Sequence, residues 1–315
     1  MTFLHSAPGD FRWGEAASTP TTTSPEPVPS IAPARAPAKV RVGVLLLTVG
    51  DVNIATEAYE MDLYLIFNCD RPCNPNNFEI MNGRPISQEL QDNFPTHKVF
   101  RIRAALRKTL DLRSYPFDRH PVSIAIEDKL LANDKLVYIP DPQNTGIDSG
   151  VYIPGWALTG HWHAGVEDHH YPVPVLNQAY SRYTFSVSIA RPPMAAFLKV
   201  ILPGLFLVGV GFLALLLGPE RVTQRLTVST SALVGAMLFH LNLAASIPPI
   251  GYLTFADRFM IVNYVALTLS VASTVILLYL VDKKRTDEAN RLHPLFVTTL
   301  PALWILLQLV DVLAV

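Results

Sequence analysis

One stripe of residues in an apolar stretch of the chain combines hydroxyl groups with aliphatic side chains. Its members alternate at spacings of four and three residues, which places them on one face of a helix: Thr227, Ser231, Val234, Leu238, Leu241 and Ala245. Hydroxyls in register can replace part of an ion's hydration shell, and aliphatic rings can close a water-filled path by dewetting. Alternatively, the hydroxyls hydrogen-bond neighbouring helices in a membrane bundle. The spacing alone leaves both interpretations open.

Two further pairs contain residue types that bind metals. His161 and His163 have a spacing compatible with a metal pair, although a solvated strand face is the more common arrangement. Cys69 and Cys73 form a C-x3-C pair, which lacks the two further ligands of a zinc site, so a local disulfide and two free thiols remain the alternatives. The sequence contains no H-E-x-x-H motif and no acid–base constellation beside the histidines. We therefore expect no enzyme, no bound metal and no cofactor.

The composition divides the chain into a mixed part and an apolar part. The 315 residues carry a formal net charge of −1, and 50% of them are hydrophobic. Residues up to about Met194 are mixed and polar, whereas long apolar runs dominate from Ala195 onward. This pattern predicts a β domain at 39–191 and a membrane domain at 192–315, after a disordered tail at 1–38 that is rich in Pro, Ser, Thr and Ala. No basic cluster points to nucleic acid.

Four apolar segments are each long enough to cross about 30 Å of hydrocarbon. They cover residues 195–217, 223–245, 255–281 and 294–315. Basic residues concentrate in the first–second and third–fourth connections, which the positive-inside rule assigns to the cytoplasm. The N-terminal domain and the connection at 246–254 are then expected outside.

The mixed part alternates short β-like runs with clusters of Asn, Asp, Gly and Pro. The predicted strands are 40–49, 59–67, 99–106, 121–127, 136–139, 156–164 and 183–190. Strands at such intervals, without helical repeats between them, predict an antiparallel β-sandwich. The expected fold is therefore a β-sandwich followed by a four-helix transmembrane bundle.

Several motifs together resemble one family of membrane receptors. Residues 115–119, Tyr-Pro-Phe-Asp-Arg, are similar to the F-P-F-D motif in the signature loop of pentameric ligand-gated ion channels, the Cys-loop receptor superfamily. Residues 191–193, Arg-Pro-Pro, resemble the family's junction before the first span, and Pro203 resembles the proline of its first helix. Residues 225–248 align without a gap to its pore helix, and residues 248–257 resemble the loop that follows. The signature loop lacks flanking cysteines and no long intracellular domain follows the third helix, as in the prokaryotic branch.

This resemblance implies a homopentamer in a bacterial inner membrane, with a periplasmic or extracellular N-terminal domain and a pore lined by the second helix. It also implies opening by a small-molecule agonist or by protons, passage of monovalent ions, and contact with membrane lipids. Two alternatives to this cation channel remain open. One is a membrane-anchored binding or sensor protein without a pore, and the other is an anion-selective channel of the same family.

Charge selectivity is expected to depend on one end of the second helix. Cation-selective relatives usually carry Glu at the position of Gln224, and anion-selective relatives usually show Pro-Ala-Arg where this chain has Thr-Gln-Arg. Glu220, one turn earlier, could supply a ring of carboxylates, and Thr227 a ring of hydroxyls. The resemblance to the prokaryotic branch favours cations.

The resemblance also implies a gating interface between the two domains. Asp118 and Arg191 resemble its buried acid and base, either as a static ion pair or as a latch whose partners shift on opening. Tyr252 is the residue that we expect to couple the domains. The full predicted interface comprises Asp51, Asn53, Phe117, Asp118, Arg191, Pro248 and Tyr252.

The agonist site of this family lies between subunits, behind the loop that joins the last two strands, here residues 168–179. Glu127 and Tyr180 match an acid and an aromatic in the pocket of an amine-responsive relative, and Tyr171 is a weaker candidate. An acid with aromatic walls suits an ammonium ligand. Lys129 stands where a further aromatic is expected, so the aromatic cage is incomplete; Tyr64 completes the predicted ligand set. Histidines beside the loop titrate near neutral pH, which keeps modulation by protons open.

Overall fold

A computed structural model describes residues 36–50, 52–173 and 178–313 of the chain. Nearly all of the predicted tail at 1–38, and Asp51 of the predicted gating interface, lie outside these residues. The described chain forms a β-rich domain of two sheets followed by four apolar helices. This confirms the architecture that the sequence predicts at its coarsest level.

The β domain contains eleven strands within the described residues. They are β1 (Ala38–Val49), β2 (Ala58–Cys69), β3 (Phe78–Ile80), β4 (Gly83–Asn93), β5 (His97–Arg107), β6 (Arg119–Asp128), β7 (Leu136–Pro140), β8 (Gly146–Ile147), β9 (Ala157–Leu158), β10 (His163–His170) and β11 (Ala179–Ala190). One sheet has the order β4-β5-β2-β1-β7 with β8 also on β1, and the other has the order β10-β11-β6-β3 with β9 also on β11. Alternate residues of both sheets, such as Val42 of β1 and Phe185 of β11, fill one shared core.

Two strand pairings depart from the predicted antiparallel sandwich. β7 and β8 both pair with β1 in parallel, with Leu136 opposite Ala38 and Gly146 opposite Leu45. The connection from β6 to β7 carries the chain from one sheet to the other, so no hairpin reverses its direction.

The short strands β3 and β8 were also not predicted, and two further differences have local reasons. The sequence predicts no strand at Gly83–Asn93, because β4 is an edge strand whose residues beyond Gly83 are all exposed and show no apolar alternation. The single strand predicted at 156–164 is divided into β9 and β10. Gly160 between them has a φ of +82°, which glycine adopts without steric strain. β10 continues to His170, so the loop predicted at 168–179 is shorter in the structure.

The four helices of the described chain are α1 (Pro193–Leu216), α2 (Val222–Ala244), α3 (Phe255–Asp282) and α4 (Thr286–Leu313). Each is long and apolar enough to cross a membrane. α4 begins before its predicted start at Pro294. Pro294 therefore lies inside the helix, and membrane helices tolerate an internal proline. A π-helical turn at Phe197–Ile201 interrupts the α-helical geometry of α1.

Small side chains bring α2 close to its neighbours in the bundle. α2 packs against α1 and α3, and α4 packs mainly against α3. Ala232 and Ala236 of α2 are buried, and the Ser229 hydroxyl lies 3.2 Å from the Ser270 hydroxyl of α3. One face of α2 and most of α4 are therefore left without neighbours within the described chain.

A disulfide joins Cys69 at the end of β2 to Cys73, with the two Cα atoms 6.1 Å apart. Of the two alternatives that the sequence leaves open, the structure therefore contains the bonded pair. Among the described residues, no group of three or more His, Cys, Asp or Glu side chains could hold a metal ion.

Candidate functional site

The predicted pore stripe lies on the exposed face of α2. All of its members are exposed: Thr227, Ser231, Val234, Leu238, Leu241 and Ala245. The aliphatic members Val234, Leu238 and Leu241 keep 55%, 63% and 68% of their surface exposed. The hydroxyl of Thr227 bonds to the carbonyl of Thr223 one turn earlier, whereas the hydroxyl that reaches another helix belongs to Ser229, off the stripe. The stripe therefore does not serve to join helices within one chain.

The predicted selectivity residues lie at the N-terminal end of α2. Glu220 belongs to a short 3-10 turn, Pro219–Arg221, and both Glu220 and Gln224 are exposed. Arg225 is completely buried, and its Nη1 donates to the carbonyl of Leu217 at 3.0 Å, at the end of α1. The exposed face at this end therefore presents a carboxylate and an amide, while the guanidinium points into the bundle.

The loop between β5 and β6 is hydrogen-bonded to the beginning of α3. The first amide groups of a helix have no partner inside the helix. Here Phe255 N donates to the Arg113 carbonyl at 2.8 Å, and Ala256 N donates to the Tyr115 carbonyl at 3.0 Å. The ring of Phe117 lies 5.9 Å from that of Phe255. This loop, residues 108–118, is called the signature loop below, and its carbonyls satisfy the first amides of α3.

Tyr252 adds a second link to the same loop. Its hydroxyl accepts a hydrogen bond from Leu112 N at 3.0 Å, and the Arg113 guanidinium lies over its ring at 4.7 Å. Pro248 lies half-buried in the same α2–α3 connection. Tyr252 therefore contacts the signature loop, and this contact links the β domain to the helices.

Asp118 and Arg191 form an ion pair in the β domain, close to the start of α1. Arg191 Nε donates to Asp118 Oδ1 at 2.7 Å, and the guanidinium lies between the rings of Trp156 and Tyr115, at 4.5 and 4.9 Å. His120 contacts the other carboxylate oxygen. Burial by itself would raise the pKa of Asp118, but the His120 hydrogen bond and the Arg191 charge outweigh it and lower the pKa below its usual value.

The first hairpin reaches the helices through apolar side chains. Val52 and Ile54 pack against a cluster that includes Leu112 of the signature loop and Phe255 of α3. Asn53 instead stabilises its own turn, where its side chain accepts a hydrogen bond from Thr56 N at 3.1 Å. The residues of this hairpin that contact the helix cluster are thus the apolar neighbours of Asn53.

Glu127 is the centre of a buried polar cluster on the outer side of the second sheet. Its side chain is 2% exposed and forms an ion pair with Arg182, whose Nε lies 2.5 Å from Glu127 Oε1. The Tyr171 hydroxyl donates to Glu127 Oε2 at 2.8 Å, and His169 Nδ1 lies 3.2 Å from Oε1. The Tyr180 ring lies edge-on to Tyr171 at 5.8 Å. The structure therefore brings the predicted acid and two predicted aromatics together, with a cation of the same chain already on the carboxylate.

The hydroxyl of Tyr171 is a stable donor in this cluster. Burial and the hydrogen bond to Glu127 raise the pKa of Tyr171 to about 12, so its proton remains in place at neutral pH. Two predicted ligand residues lie elsewhere in the chain. Lys129 is exposed just beyond β6, and Tyr64 is on β2 of the other sheet, opposite Arg101.

The two candidate metal-binding histidines do not share a strand. His163 is the first residue of β10, and His161 precedes the strand. Of the histidines beside the loop, His169 is the one that joins the Glu127 cluster, opposite Tyr180 in the β10–β11 pairing.

Three contributors to these sites are absent from the sequence-based sets: Arg182, His120 and Trp156. Strand alternation offered a signal for Arg182, because residues two apart on a strand share a face and Tyr180 was already a candidate. Trp156 had no such signal, since its contact with Arg191 depends on how distant segments pack.

No protein-family model and no curated protein matches this sequence.

Proposed function

We propose that this chain is the subunit of a homopentameric ligand- or proton-gated ion channel of a bacterial inner membrane, with a pore lined by α2 and selectivity for cations. The β domain, by this proposal, lies outside the cytoplasm and receives the stimulus. Five copies arranged around an axis would cover the exposed face of α2 and turn its stripe into rings around a water-filled path.

The observation that carries this proposal is the face that α2 leaves uncovered. In a single chain, α2 buries its small residues, such as Ala232 and Ala236, and exposes its hydroxyl and aliphatic stripe. α4 exposes aliphatic side chains such as Leu306, Leu309 and Val310, and its exposed hydroxyls beyond the first residue, Thr298 and Thr299, are adjacent residues and do not form a stripe along one face. A membrane anchor has no need for hydroxyls and aliphatic side chains in register along one exposed face, so the stripe favours a conducting assembly over an anchored sensor.

The contacts between the β domain and the helices support gating by a stimulus outside the membrane. The carbonyls of Arg113 and Tyr115 accept hydrogen bonds from the first amides of α3, and Tyr252 bonds to Leu112 N. α3 packs directly against α2. A displacement of the signature loop therefore has a short, hydrogen-bonded route to the proposed pore helix.

The Glu127 cluster refines the expected stimulus. A free amine would have to compete with Arg182 for the Glu127 carboxylate, because the guanidinium already forms an ion pair with it. We infer that an ammonium agonist acts by displacing Arg182 from this carboxylate.

The decisive experiment is current recording from purified protein reconstituted in a planar bilayer, over a series of pH values and small primary amines. Val234→Ser places a hydroxyl in the proposed aliphatic barrier and should shift opening to a weaker stimulus, because a polar ring resists dewetting. Val310→Ser is the matched control, since Val310 of α4 is 57% exposed and Val234 is 55% exposed.

A stimulus-dependent current that Val234→Ser alone sensitises supports the proposal. Absence of current in every condition, with the protein folded and inserted, favours the membrane-anchored sensor. An equal effect of both substitutions would remove Val234 from the barrier.

A further inference from the structure

The guanidinium of Arg225 is buried where α1, α2 and α4 meet, with few acceptors around it. Its Nη1 atom lies 3.0 Å from the carbonyl of Leu217, at the end of α1, and 3.2 Å from Nδ1 of His293 in α4. Its Nε and Nη2 atoms are buried and have no hydrogen-bond partner among the described residues. A buried charge with unmet donors is costly, so each acceptor that Arg225 does have contributes to how these helices pack.

The contact between Arg225 and His293 fixes the protonation state of the histidine. A guanidinium keeps its protons and can only donate, so Nδ1 of His293 is the acceptor and the ring is neutral. A second proton on the ring would occupy Nδ1 and bring two cations into contact. This hydrogen bond therefore exists only while His293 is uncharged.

His293 is also the point at which α4 is hydrogen-bonded to α2. Within the part of the chain that the structure describes, no other side-chain hydrogen bond joins these two helices, and α4 packs mainly against α3. Arg225 bonds in turn to the end of α1. Loss of the His293 contact would therefore remove the hydrogen bond that holds α4 to the helix with the exposed stripe.

Few other charged groups surround this contact. Glu220, in the 3-10 turn before α2, is the acid whose charge acts on His293 beside that of Arg225, and both Glu220 and Arg221 of that turn are exposed. At this level α3 packs against α4 through apolar side chains such as Leu277. Histidine is the side chain whose ordinary pKa, about 6.5, lies closest to neutral pH, so a change in cellular pH can charge it.

We propose that His293 is a positioning residue through which protons from the cytoplasm regulate the channel. Neutral His293 accepts the hydrogen bond of Arg225 and holds α4 to α2, and protonation releases α4. This stimulus acts on the opposite side of the membrane from the one that the β domain receives. The regulation rests on the proposed channel and its topology, whereas the release of α4 does not.

The release of α4 is measured without ion conduction, by hydrogen–deuterium exchange of the full-length protein in detergent at pH 8 and pH 5. His293→Gln keeps a side-chain acceptor and cannot titrate, whereas His293→Leu removes the acceptor. At pH 5 the first turns of α4 should exchange about fivefold faster in the wild-type protein than in His293→Gln, the factor that corresponds to about 1 kcal/mol for one hydrogen bond. At pH 8 the two should be equal, and His293→Leu should exchange faster than His293→Gln at both pH values.

His163→Gln is the matched control, because His163 is an exposed histidine of the β domain. Its α4 should exchange like that of the wild-type protein at both pH values. Equal exchange of α4 in the wild-type protein and His293→Gln at pH 5 would overturn the proposal.

Current recording in a planar bilayer, with the pH set separately on the two sides, tests the consequence for the channel. The stimulus for half-maximal current should shift with cytoplasmic pH in the wild-type protein and stay constant in His293→Gln. A wild-type current that does not depend on cytoplasmic pH would overturn the regulatory role of His293. Release of α4 as expected, with no current in any condition, would support the proton-dependent contact and contradict the proposed channel function.

Discussion

At the scale of single residues, the buried charges of the β domain show what each site can bind. Glu127 and Asp118 are both carboxylates with almost no exposed surface, and each is paired with an arginine far away in sequence, Arg182 and Arg191. A buried charge left without its partner is strongly destabilising, so these pairs restrict which ligands and conformations the domain accepts. An agonist at Glu127 therefore has to replace an existing cation.

Arg182→Gln tests this competition directly. The substitution leaves the Glu127 carboxylate buried without its guanidinium, which should destabilise the β domain by roughly 3–5 kcal/mol. A small primary amine should restore part of the loss, because its ammonium group can take the place of Arg182. Thermal unfolding of the full-length protein, with and without the amine, measures both effects.

Arg101→Gln is the control for this experiment. Arg101 pairs with Asp62 while 48% exposed, and such surface pairs contribute only about 0–1 kcal/mol. If amine rescues both variants equally, or neither is less stable than the wild-type protein, Glu127 is not an ammonium site.

Asp118→Asn tests the latch between the domains and its response to pH. The folded-state pKa of Asp118 is lowered by His120 and Arg191, so its ionised form stabilises the fold at all pH values above its unfolded-state pKa of about 4. This stability is lost as pH falls through the lowered folded-state pKa. Asp118→Asn should cost roughly 3–5 kcal/mol at neutral pH and should lack this acid-induced loss.

Urea unfolding at neutral and strongly acidic pH measures that difference, with exposed Asp134→Asn as the control. Because the folded-state pKa of Asp118 is lowered from its usual value, the pair stays ionic in mildly acidic solution. A pH-dependent change in current between pH 5 and 7 could be present in the wild-type protein and absent in Asp118→Asn, with the same stability in both. That result would contradict the lowered pKa of Asp118.

At the scale of elements, the beginning of α3 is the point where the two domains are joined. Thr254 caps the helix in a capping box with Asp257, and the following amides bond to the signature loop. The same helix contacts α2 along its length. One element therefore receives the hydrogen bonds of the β domain and packs against the stripe-bearing helix.

Tyr252→Phe removes one link of this junction and keeps the ring. Leu112 N then loses its acceptor, at a cost of roughly 1–3 kcal/mol if it stays buried. We expect Tyr252→Phe to need a stronger stimulus for half-maximal current, because the signature loop then has one hydrogen bond fewer to the α2–α3 connection.

Tyr279→Phe, on a residue of α3 that is 58% exposed near the other end of the helix, is the matched control for bilayer recording. An identical dose–response curve for Tyr252→Phe and the wild-type protein would exclude this hydrogen bond from coupling.

At the scale of the whole molecule, the proposed assembly rests on the surface that a single chain leaves exposed. α4 exposes the aliphatic surface that lipids cover, but α2 exposes hydroxyls, an amide and, just before it, the Glu220 carboxylate. Polar groups in contact with hydrocarbon are costly, so a face of this kind is better suited to water or to further protein subunits. The proposed ring of identical subunits would provide both.

Glu220→Gln tests the electrostatic consequence of that ring. Five neighbouring carboxylates would attract cations at one mouth of the pore, and the amide would remove that field. The reversal potential in asymmetric salt should move toward that of chloride. Asp287→Asn, another exposed acid at the start of α4, is the control.

An unchanged reversal potential in Glu220→Gln would exclude that carboxylate ring as the selectivity filter. A mass for the detergent-solubilised protein that differs from five copies would contradict the assembly itself.

The sequence by itself determined the broad architecture and the position of the stripe. Hydrophobic patterns with periods of 2 and 3.6 residues are local, and they predicted a β domain, four spans and the exposed face of α2 before any contact was known. The polar edge strand β4 was not predicted, because a strand that buries neither face shows no apolar alternation in the sequence.

The tertiary structure alone decided which charges meet. Arg182 reaches Glu127 because β11 lies beside β6 in one particular register, and Trp156 reaches Arg191 because a loop folds over the end of β11. Such contacts join residues tens of positions apart, and a shift of one residue in strand register would turn their side chains to the other face. The composition of the candidate agonist site therefore follows from packing, whereas the stripe follows from helical spacing.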